Sequence, residues 1–288
     1  MTIQIVHLAD LHFGGPADVR QVEALERMLP DLRPDAVVVA GDLCQRARHG
    51  ELQRARAFAN LAAATAPVYV LPGNHDVAWW WRPLLPLGRE ALYRNYRRYF
   101  GDDLTPTLKV PGATIAGVLT SHGVGWLSLT WRLRDLAVVG YLPKGEVQRV
   151  EAVFREAPPD DARVLVVHHN VLRGQLSHRM GLARWRRAQR RLAASGADIV
   201  LCGHDHQEGV DVLPGSSVVV ATAGTLSDRS RGGRPGSFNF ITIEAKAIQV
   251  TFFRWEADRG RFRASDTFAF ARGAGHGANP ASPVAATR

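Results

Sequence analysis

The sequence predicts an α/β sandwich, and three observations carry that prediction. Five short apolar runs, at 3–8, 36–40, 67–71, 163–167 and 198–202, have the length and character of buried strands. Stretches with helical periodicity lie between them: Val22, Leu25, Met28 and Leu29 share one face of 21–29, and Val147, Val150 and Phe154 share one face of 146–156. Strands that alternate with helices are the pattern of a sheet covered by helices. The composition allows a sizeable core, because the chain has 288 residues, 46% hydrophobic and 22% charged, which also excludes a mostly disordered protein.

Taken in order, Met1-Thr2 runs straight into the first strand without a basic leader, so no signal peptide is read. The apolar runs span four to six residues, far short of the roughly 20 that a membrane-spanning helix needs. A cytoplasmic protein is the expectation. Pro30 and Pro34 punctuate the first helix–strand junction. Region 105–142 changes character: Thr107–Val110, Ala113–Val118, Trp126–Leu129 and Asp135–Val139 read as short strands with glycine turns. Strands are also expected at 209–213, 217–222, 237–244, 248–255 and 261–268. Residues 1–270 are read as one catalytic domain, and 271–288, without periodicity, as a disordered tail.

Charge narrows the partners. Lys+Arg number 36 against 27 Asp+Glu, a formal +9, and only three of the basic residues are lysine. The surplus favours an anionic partner such as a phosphate, nucleic acid or membrane surface, or it reflects an arginine-rich coding composition. Two cysteines, Cys44 and Cys202, exclude a disulfide scaffold and a cysteine-rich zinc module. Each ends an apolar run and is expected to be a buried free thiol.

The chemistry sits after the strands. Ile3–Leu8 leads to Asp10-Leu11-His12, Ala36–Ala40 to Gly41-Asp42, and Val68–Leu71 to Gly73-Asn74-His75-Asp76. Val164–Val167 leads to His168-His169-Asn170, and Ile199–Cys202 to Gly203-His204-Asp205-His206. The carboxyl edge of an α/β sheet is where ligands bind. A single histidine there is more often a hydrogen-bonded residue than a ligand. Five polar clusters after five apolar strands are different, because such groups left unpaired at one rim would cost several kcal/mol. An Asp, His and Asn set without thiolate suits manganese, iron or zinc.

These residues resemble the calcineurin-like metallophosphoesterases. That superfamily's pattern is D-x-H, G-D, G-N-H-[DE], H and G-H-x-H; the chain has Asp10-x-His12, Gly41-Asp42, Gly73-Asn74-His75-Asp76, His168 and Gly203-His204-x-His206 in order. The resemblance covers about residues 1–255. Leu8–Gly14, Gly41–Arg48 and Gly224–Asn239 are similar to bacterial class III phosphodiesterases, the group that includes the cyclic-nucleotide enzymes. The resemblance implies a four-layer α/β/β/α sandwich with two mixed sheets and two divalent cations (manganese, iron or zinc) at one sheet rim. Asp10, His12, Asp42 and His206 would hold one cation, and Asp42, Asn74, His168 and His204 the other. His75 would serve the leaving group as a catalytic residue. Asp76 would orient His75, with a turn or cap role as its alternative. Arg46, His169 and His178 are candidate substrate contacts; Asn170 stands where such H-H pairs often continue with proline.

The expected reaction is hydrolysis of a cyclic nucleotide or another small phosphodiester through a metal-bridging hydroxide. A DNA-processing nuclease is the alternative, using the arginines of 173–191, a segment that reads as an amphipathic helix from Gly181. A pyrophosphate hydrolase acting on a lipid precursor is another, for which Trp79-Trp80-Trp81 is suggestive. A metal-free scaffold should lack at least one ligand, and this chain lacks none. The small phosphodiester is the favoured partner over nucleic acid; nothing in the residues specifies an oligomeric state.

Overall fold

Three stripes of apolar side chains organise the molecule into four layers. The structure, a computed structural model, describes residues 1–77, 89–122, 138–273 and 284–285. Along the chain its elements are β1 (Ile3–Leu8), α1 (Val19–Leu32), β2 (Ala36–Ala40), α2 (His49–Ala63), β3 (Val68–Leu71), α3 (Arg89–Phe100), β4 (Thr107–Val110) and β5 (Ala113–Gly117). Then come α4 (Lys144–Glu156), β6 (Ala162–Val166), α5 (Trp185–Ala193), β7 (Ile199–Cys202), β8 (Gly209–Val212) and β9 (Val219–Thr222). The chain closes with β10 (Ser237–Ile243), β11 (Ala247–Glu256), β12 (Arg261–Ala271) and β13 (Val284–Ala285).

Two mixed sheets result. One runs β13-β12-β11-β10-β1-β2-β3, with β1, β2 and β3 parallel and the rest antiparallel. The other runs β4-β5-β6-β7-β9-β8, with a parallel centre and antiparallel edges. Side chains on a strand alternate faces, so β1 sends Ile3 and Ile5 between the sheets, against Val164, Ile199 and Leu201. Its Val6 and Leu8 point the other way, onto Leu25 and Leu29 of α1. On the opposite side Val147, Val150 and Phe154 of α4 and Leu192 of α5 pack on Leu165 and Val200. Each such fully buried aliphatic or aromatic side chain contributes roughly 1.5–3 kcal/mol. The sandwich expected from the resemblance is therefore present.

Several boundaries differ from the sequence expectation. Pro30 lies inside α1, which begins at the Asp18 cap and ends at Arg33 in a left-handed conformation. Near a helix end proline removes a single backbone bond, so the junction moves on to Arg33. The arginine helix begins at Trp185, not Gly181. Arg184 is left-handed, with φ 51°, and the amides of Gly181 and Ala183 are bonded to Asn170 O and Gly140 O. The strand expected at Trp126–Leu129 and the Trp79–Trp81 cluster lie outside the described residues. Val138 and Val139, the described end of the 135–139 expectation, sit in a turn and bend.

Contacts continue just past the boundary expected at 270/271. Ala271 completes β12, and the Arg272 guanidinium lies 3.2 Å from Asp198 Oδ2 and donates to Asp161 O at 2.7 Å. Val284 and Ala285 pair with Ala269 and Phe268, so a part of the expected tail adds to the sheet edge. Among the described residues no helix is long and apolar enough to cross a membrane.

One buried polar pair interrupts the inter-sheet core. His7 is fully buried on β1 opposite Asn239 of β10, whose Nδ2 lies 3.2 Å from His7 Nδ1. Burial pushes the His7 pKa down to about 3. The unfolded chain therefore binds a proton that the folded chain refuses, and stability falls as pH drops from about 6.5 towards 3. At the acid end this shift corresponds to roughly 4–5 kcal/mol. Urea unfolding of EDTA-treated protein is expected to show a smaller loss between pH 7 and pH 4 for His7→Asn than for the wild type. Parallel pH profiles would remove His7 from the acid response.

Candidate metal centre

The five polar clusters converge from two sheets rather than one. Those after β1, β2 and β3 come from the first sheet; those after β6 and β7 come from the second. The expected single rim is thus a seam between the ends of two facing sheets. Past the strands, the backbone turns sharply. Asp10, His12, Asp42, His204 and His206 all have positive φ, between 49° and 72°, a region that non-glycine residues enter at a cost of order 1–3 kcal/mol each. Backbone bonds lock these turns: Asp10 N to Gly41 O and His12 N to Asp42 O, both at 3.0 Å. His204 N donates to Asp10 Oδ2 at 2.7 Å, and His75 N to Asp42 Oδ1 at 2.7 Å.

Two groups of donors face each other across Asp42. In the first, His12 Nε2 lies 3.1 Å from His206 Nε2, 3.8 Å from Asp10 Oδ1 and 3.9 Å from Asp42 Oδ2. His206 Nε2 is 3.4 Å from Asp10 Oδ1. In the second, His168 Nε2 lies 3.4 Å from Asp42 Oδ1 and 2.9 Å from Asn74 Oδ1. His204 Nδ1 is 3.0 Å from Asn74 Oδ1 and 3.3 Å from His168 Nε2. One oxygen of Asp42 faces each group.

This donor set fits divalent cations. His168 Nδ1 sits 2.9 Å from Ala40 O, and His206 Nδ1 sits 3.1 Å from Arg229 O. A carbonyl only accepts, so these nitrogens carry the ring proton and Nε2 turns its lone pair inward, the arrangement of a metal-ligating histidine. Asp10 Oδ1 is buried and accepts no hydrogen bond among the described residues. Lone pairs gathered at these distances call for positive charge among them. The two thiols are turned elsewhere: Cys44 Sγ donates to Asp76 Oδ1, and Cys202 Sγ lies 3.3 Å from Thr222 Oγ1. The remaining oxygen and nitrogen donors suit a borderline or hard divalent ion.

The electrostatics agree. Burial would lower the His168 imidazole, but the Asp42 carboxylate outweighs it and carries the pKa up to about 9. Burial likewise opposes protonation of His206, and Asp10 overcomes it. Burial would raise the Asp42 carboxyl; the imidazoles of His168 and His75 hold it well below the usual carboxylate range. His12 and His204 are pushed well below the ordinary histidine value, chiefly by burial. The seam thus demands positive charge while two of its histidines refuse to supply it as protons.

The other expected residues fall differently. His75 stands beside the first group, its ring 4.9 Å from that of His12 and its Nδ1 2.8 Å from Gln45 O. That carbonyl, and not Asp76, orients the imidazole. Both Asp76 oxygens accept backbone bonds, from Leu43, Cys44 and Gly73, so its alternative role as a turn residue prevails. It clamps the loop after β2 to the loop after β3. Burial, then the Asp42 charge, push its carboxyl up.

Among the candidate substrate contacts, His169 is fully buried, with Nδ1 2.8 Å from Thr120 Oγ1. It offers no surface to substrate. A ligand atom of His169 lies within 4.8 Å of those of His168 and His204, a proximity that the H-H doublet signals. His178 is exposed on a left-handed turn and is absent from the cavity beside His204; its neighbour Arg179 lines that cavity instead, with Asn170 and Arg231. Arg46 is exposed on the loop after Asp42, its amide bonded to Glu51.

Two facing sheets with oxygen and nitrogen donors gathered at their seam form a candidate metal centre. The chain belongs to the calcineurin-like phosphoesterase family, which matches residues 3–208. It is 33% identical over 178 residues to the glycerophosphodiester phosphodiesterase GpdQ of Enterobacter lignolyticus, a match covering 54% of this chain and 56% of that protein. It is 29% identical over 111 residues to a Danio rerio transmembrane protein with a metallophosphoesterase domain, covering 36% of this chain and 24% of that one. The chain therefore spans about half, or less, of the curated relatives it matches.

Similar folds include a purple acid phosphatase from yellow lupin, with TM-score 0.64 and 12% identity over 94% of this chain and 54% of that one. A dimetal phosphatase from Danio rerio has TM-score 0.62 and 15% identity, covering 91% of this chain and 98% of that one. At these identities the likeness is one of fold.

The seam leaves no room for a larger residue at Gly73. A Cβ there would lie 2.1 Å from Asp42 Oδ1 and 2.3 Å from its amide nitrogen. Gly73→Ala is expected to displace Asp42 and to lose at least one manganese per chain by elemental analysis. Gly50→Ala, in open space on α2, should keep its metal and gain about 0.5–1 kcal/mol. A fully loaded Gly73→Ala protein would contradict the packing argument.

Proposed function

We propose that this chain hydrolyses a small phosphodiester, with Asp10, His12, Asp42 and His206 holding one divalent cation and Asp42, Asn74, His168 and His204 the other. The observation that carries this reading is Asp42, which turns Oδ2 to one donor group and Oδ1 to the other. Identity with a glycerophosphodiester phosphodiesterase supports a diester over a monoester. Glycerophosphodiesters and cyclic nucleotides are the first substrates to try. The catalytic domain on this reading is residues 1–270.

Cations bound there supply Lewis acidity to the phosphoryl oxygens and make water acidic enough to act as a nucleophile near neutral pH. The protein's own part is positional and electrostatic. Asp10 and Asp42 provide the negative charge that keeps the cations in place. Ala40 O and Arg229 O hold the His168 and His206 rings so that their lone pairs stay aimed. Gln45 O fixes His75 through Nδ1. In its imidazolium form His75 delivers the Nε2 proton to the departing oxygen. The Asp76 clamp keeps Asp42 and His75 in register by joining their two loops.

A nuclease is the second reading, and α5 favours it. Arg184, Arg186, Arg187 and Arg190 are exposed and form no ion pair among the described residues. A row of guanidiniums suits a phosphate backbone.

A panel with manganese-loaded protein separates the readings. Bis(p-nitrophenyl) phosphate is expected to turn over at least about 100-fold faster than p-nitrophenyl phosphate, the equivalent of about 2.7 kcal/mol in the barrier. Preference for the monoester would refute the diesterase reading, and salt-sensitive cleavage of single-stranded DNA would replace it with the nuclease. His75→Ala should retain its manganese and lose about 10²–10⁴ in kcat, whereas Asp42→Ala should lose metal as well. Wild-type turnover by His75→Ala would remove the proton-delivery role.

A further inference from the structure

His169 is shut off from substrate, yet its ring lies against the second donor group. Its centroid is 4.9 Å from that of His168 and 4.5 Å from that of His204. The three rings each bring a nitrogen within 4.8 Å of the other two.

The two nitrogens of His169 are treated differently. Nδ1 lies 2.8 Å from Thr120 Oγ1. The Val138 backbone also hydrogen-bonds the ring and favours its protonated form, so the partner there is a carbonyl. Nε2 is buried and has no hydrogen-bond partner among the described residues, which leaves both contacts to Nδ1. A carbonyl only accepts, so Nδ1 carries the ring proton and Nε2 keeps a bare lone pair. His168 and His206 show the same arrangement, each with Nδ1 on a carbonyl, and it is that of a metal-ligating histidine.

The seat is built for this ring. Thr120 is itself fully buried. A Cβ at Gly140 would lie 2.3 Å from His169 Nδ1 and 2.5 Å from its Cγ, so a larger residue there would displace the imidazole. Gly140 is fixed in turn, its amide bonded to Gly181 O and its carbonyl to Ala183 N. A buried lone pair with no donor to answer it is unfavourable, and a cation among the three imidazoles answers it.

We infer that His169 is a further ligand of the second cation, through Nε2, beside Asp42, Asn74, His168 and His204. The inference rests on the two-cation reading and makes the two sites chemically unequal. The first has two carboxylates and two imidazoles, from Asp10, Asp42, His12 and His206. The second has the shared Asp42, one amide oxygen and three imidazoles. Imidazole suits zinc, whereas carboxylate suits manganese. The second site is therefore the one that takes zinc first.

Metal binding, and not turnover, tests the assignment. With one equivalent of zinc added to the EDTA-treated full chain, X-ray absorption at the zinc edge is expected to count three imidazoles. His12 and His206 in the first site, or His168 and His204 alone in the second, would give two, and a count of two overturns the inference.

Competition for zinc against a chromophoric chelator gives a second measure. His169→Asn keeps an amide donor where Nδ1 stood and has nothing in place of Nε2. It is expected to bind one of two zinc ions at least about tenfold more weakly than the wild type, and the other within about twofold. His49→Asn, at an exposed position of α2 beside Tyr99, should bind both as the wild type does. A residue that only packs would lower the melting temperature of the EDTA-treated chain and leave zinc affinity alone. Unchanged affinity in His169→Asn, or an equal loss in His49→Asn, overturns the inference. Should His169→Asn fail to fold, the imidazole count of the wild type decides. A wild-type chain that binds fewer than two zinc ions removes the two-cation reading and the added ligand together, whereas two bound ions with a count of two imidazoles remove His169 alone.

Discussion

A carboxylate with almost no exposed surface must be answered by positive charge, and Asp42, at 1% exposure, is the carboxylate on which the centre turns. It follows β2 of one sheet, yet its nearest imidazole contact comes from β6 of the other, His168 at 3.4 Å. Breaking a buried charge pair costs about 3–5 kcal/mol, so the two sheets can neither slide nor separate without exposing this group. The close approach also dictates sequence. Gly41 leaves space against the His168 ring, and Gly73 leaves space against Asp42 itself. The left-handed turns at Asp10, His12, Asp42, His204 and His206 are local strain held in place by the three apolar cores.

Around that charge the protein separates holding from reacting. Backbone carbonyls orient His168, His206 and His75, while Asp76 spends both of its oxygens on amides of neighbouring loops. A carboxylate so engaged is a poor proton carrier and a good clamp. The arginines occupy a different tier. Arg231 and Arg179 belong to the loops after β9 and β6 and line a cavity beside His204. Part of the basic surplus of the chain lies at the exposed Arg184, Arg186, Arg187 and Arg190 at and after the start of α5.

Much of this architecture was legible before any coordinates. Short, mostly apolar runs between periodic segments place β1, β2, β3, β6 and β7, because strands covered on both faces are dominated by apolar residues. The polar cluster after each of these runs holds the groups that the structure brings together at the seam. Element ends were less legible. Whether Pro30 stops a helix, or Gly181 starts one, depends on partners distant in sequence, such as Asn170 and Gly140 for the amides ahead of α5. The role of Asp76 was hidden for the same reason. Its neighbour in sequence is His75, but its hydrogen-bond partners Leu43 and Cys44 lie more than thirty residues away.

By itself the sequence determined the alternation of strands and helices and the polar, thiolate-free residue types that follow the strands, because these depend on local periodicity and residue chemistry. Only the tertiary structure decided that the donors come from two sheets and that one oxygen of Asp42 faces each group. It also decided that His169 is sealed in the interior while Arg179, not His178, lines the cavity. Those outcomes depend on how two twisted sheets meet and how loops distant in sequence exchange backbone hydrogen bonds, and neither is encoded in the spacing of residues along a single strand.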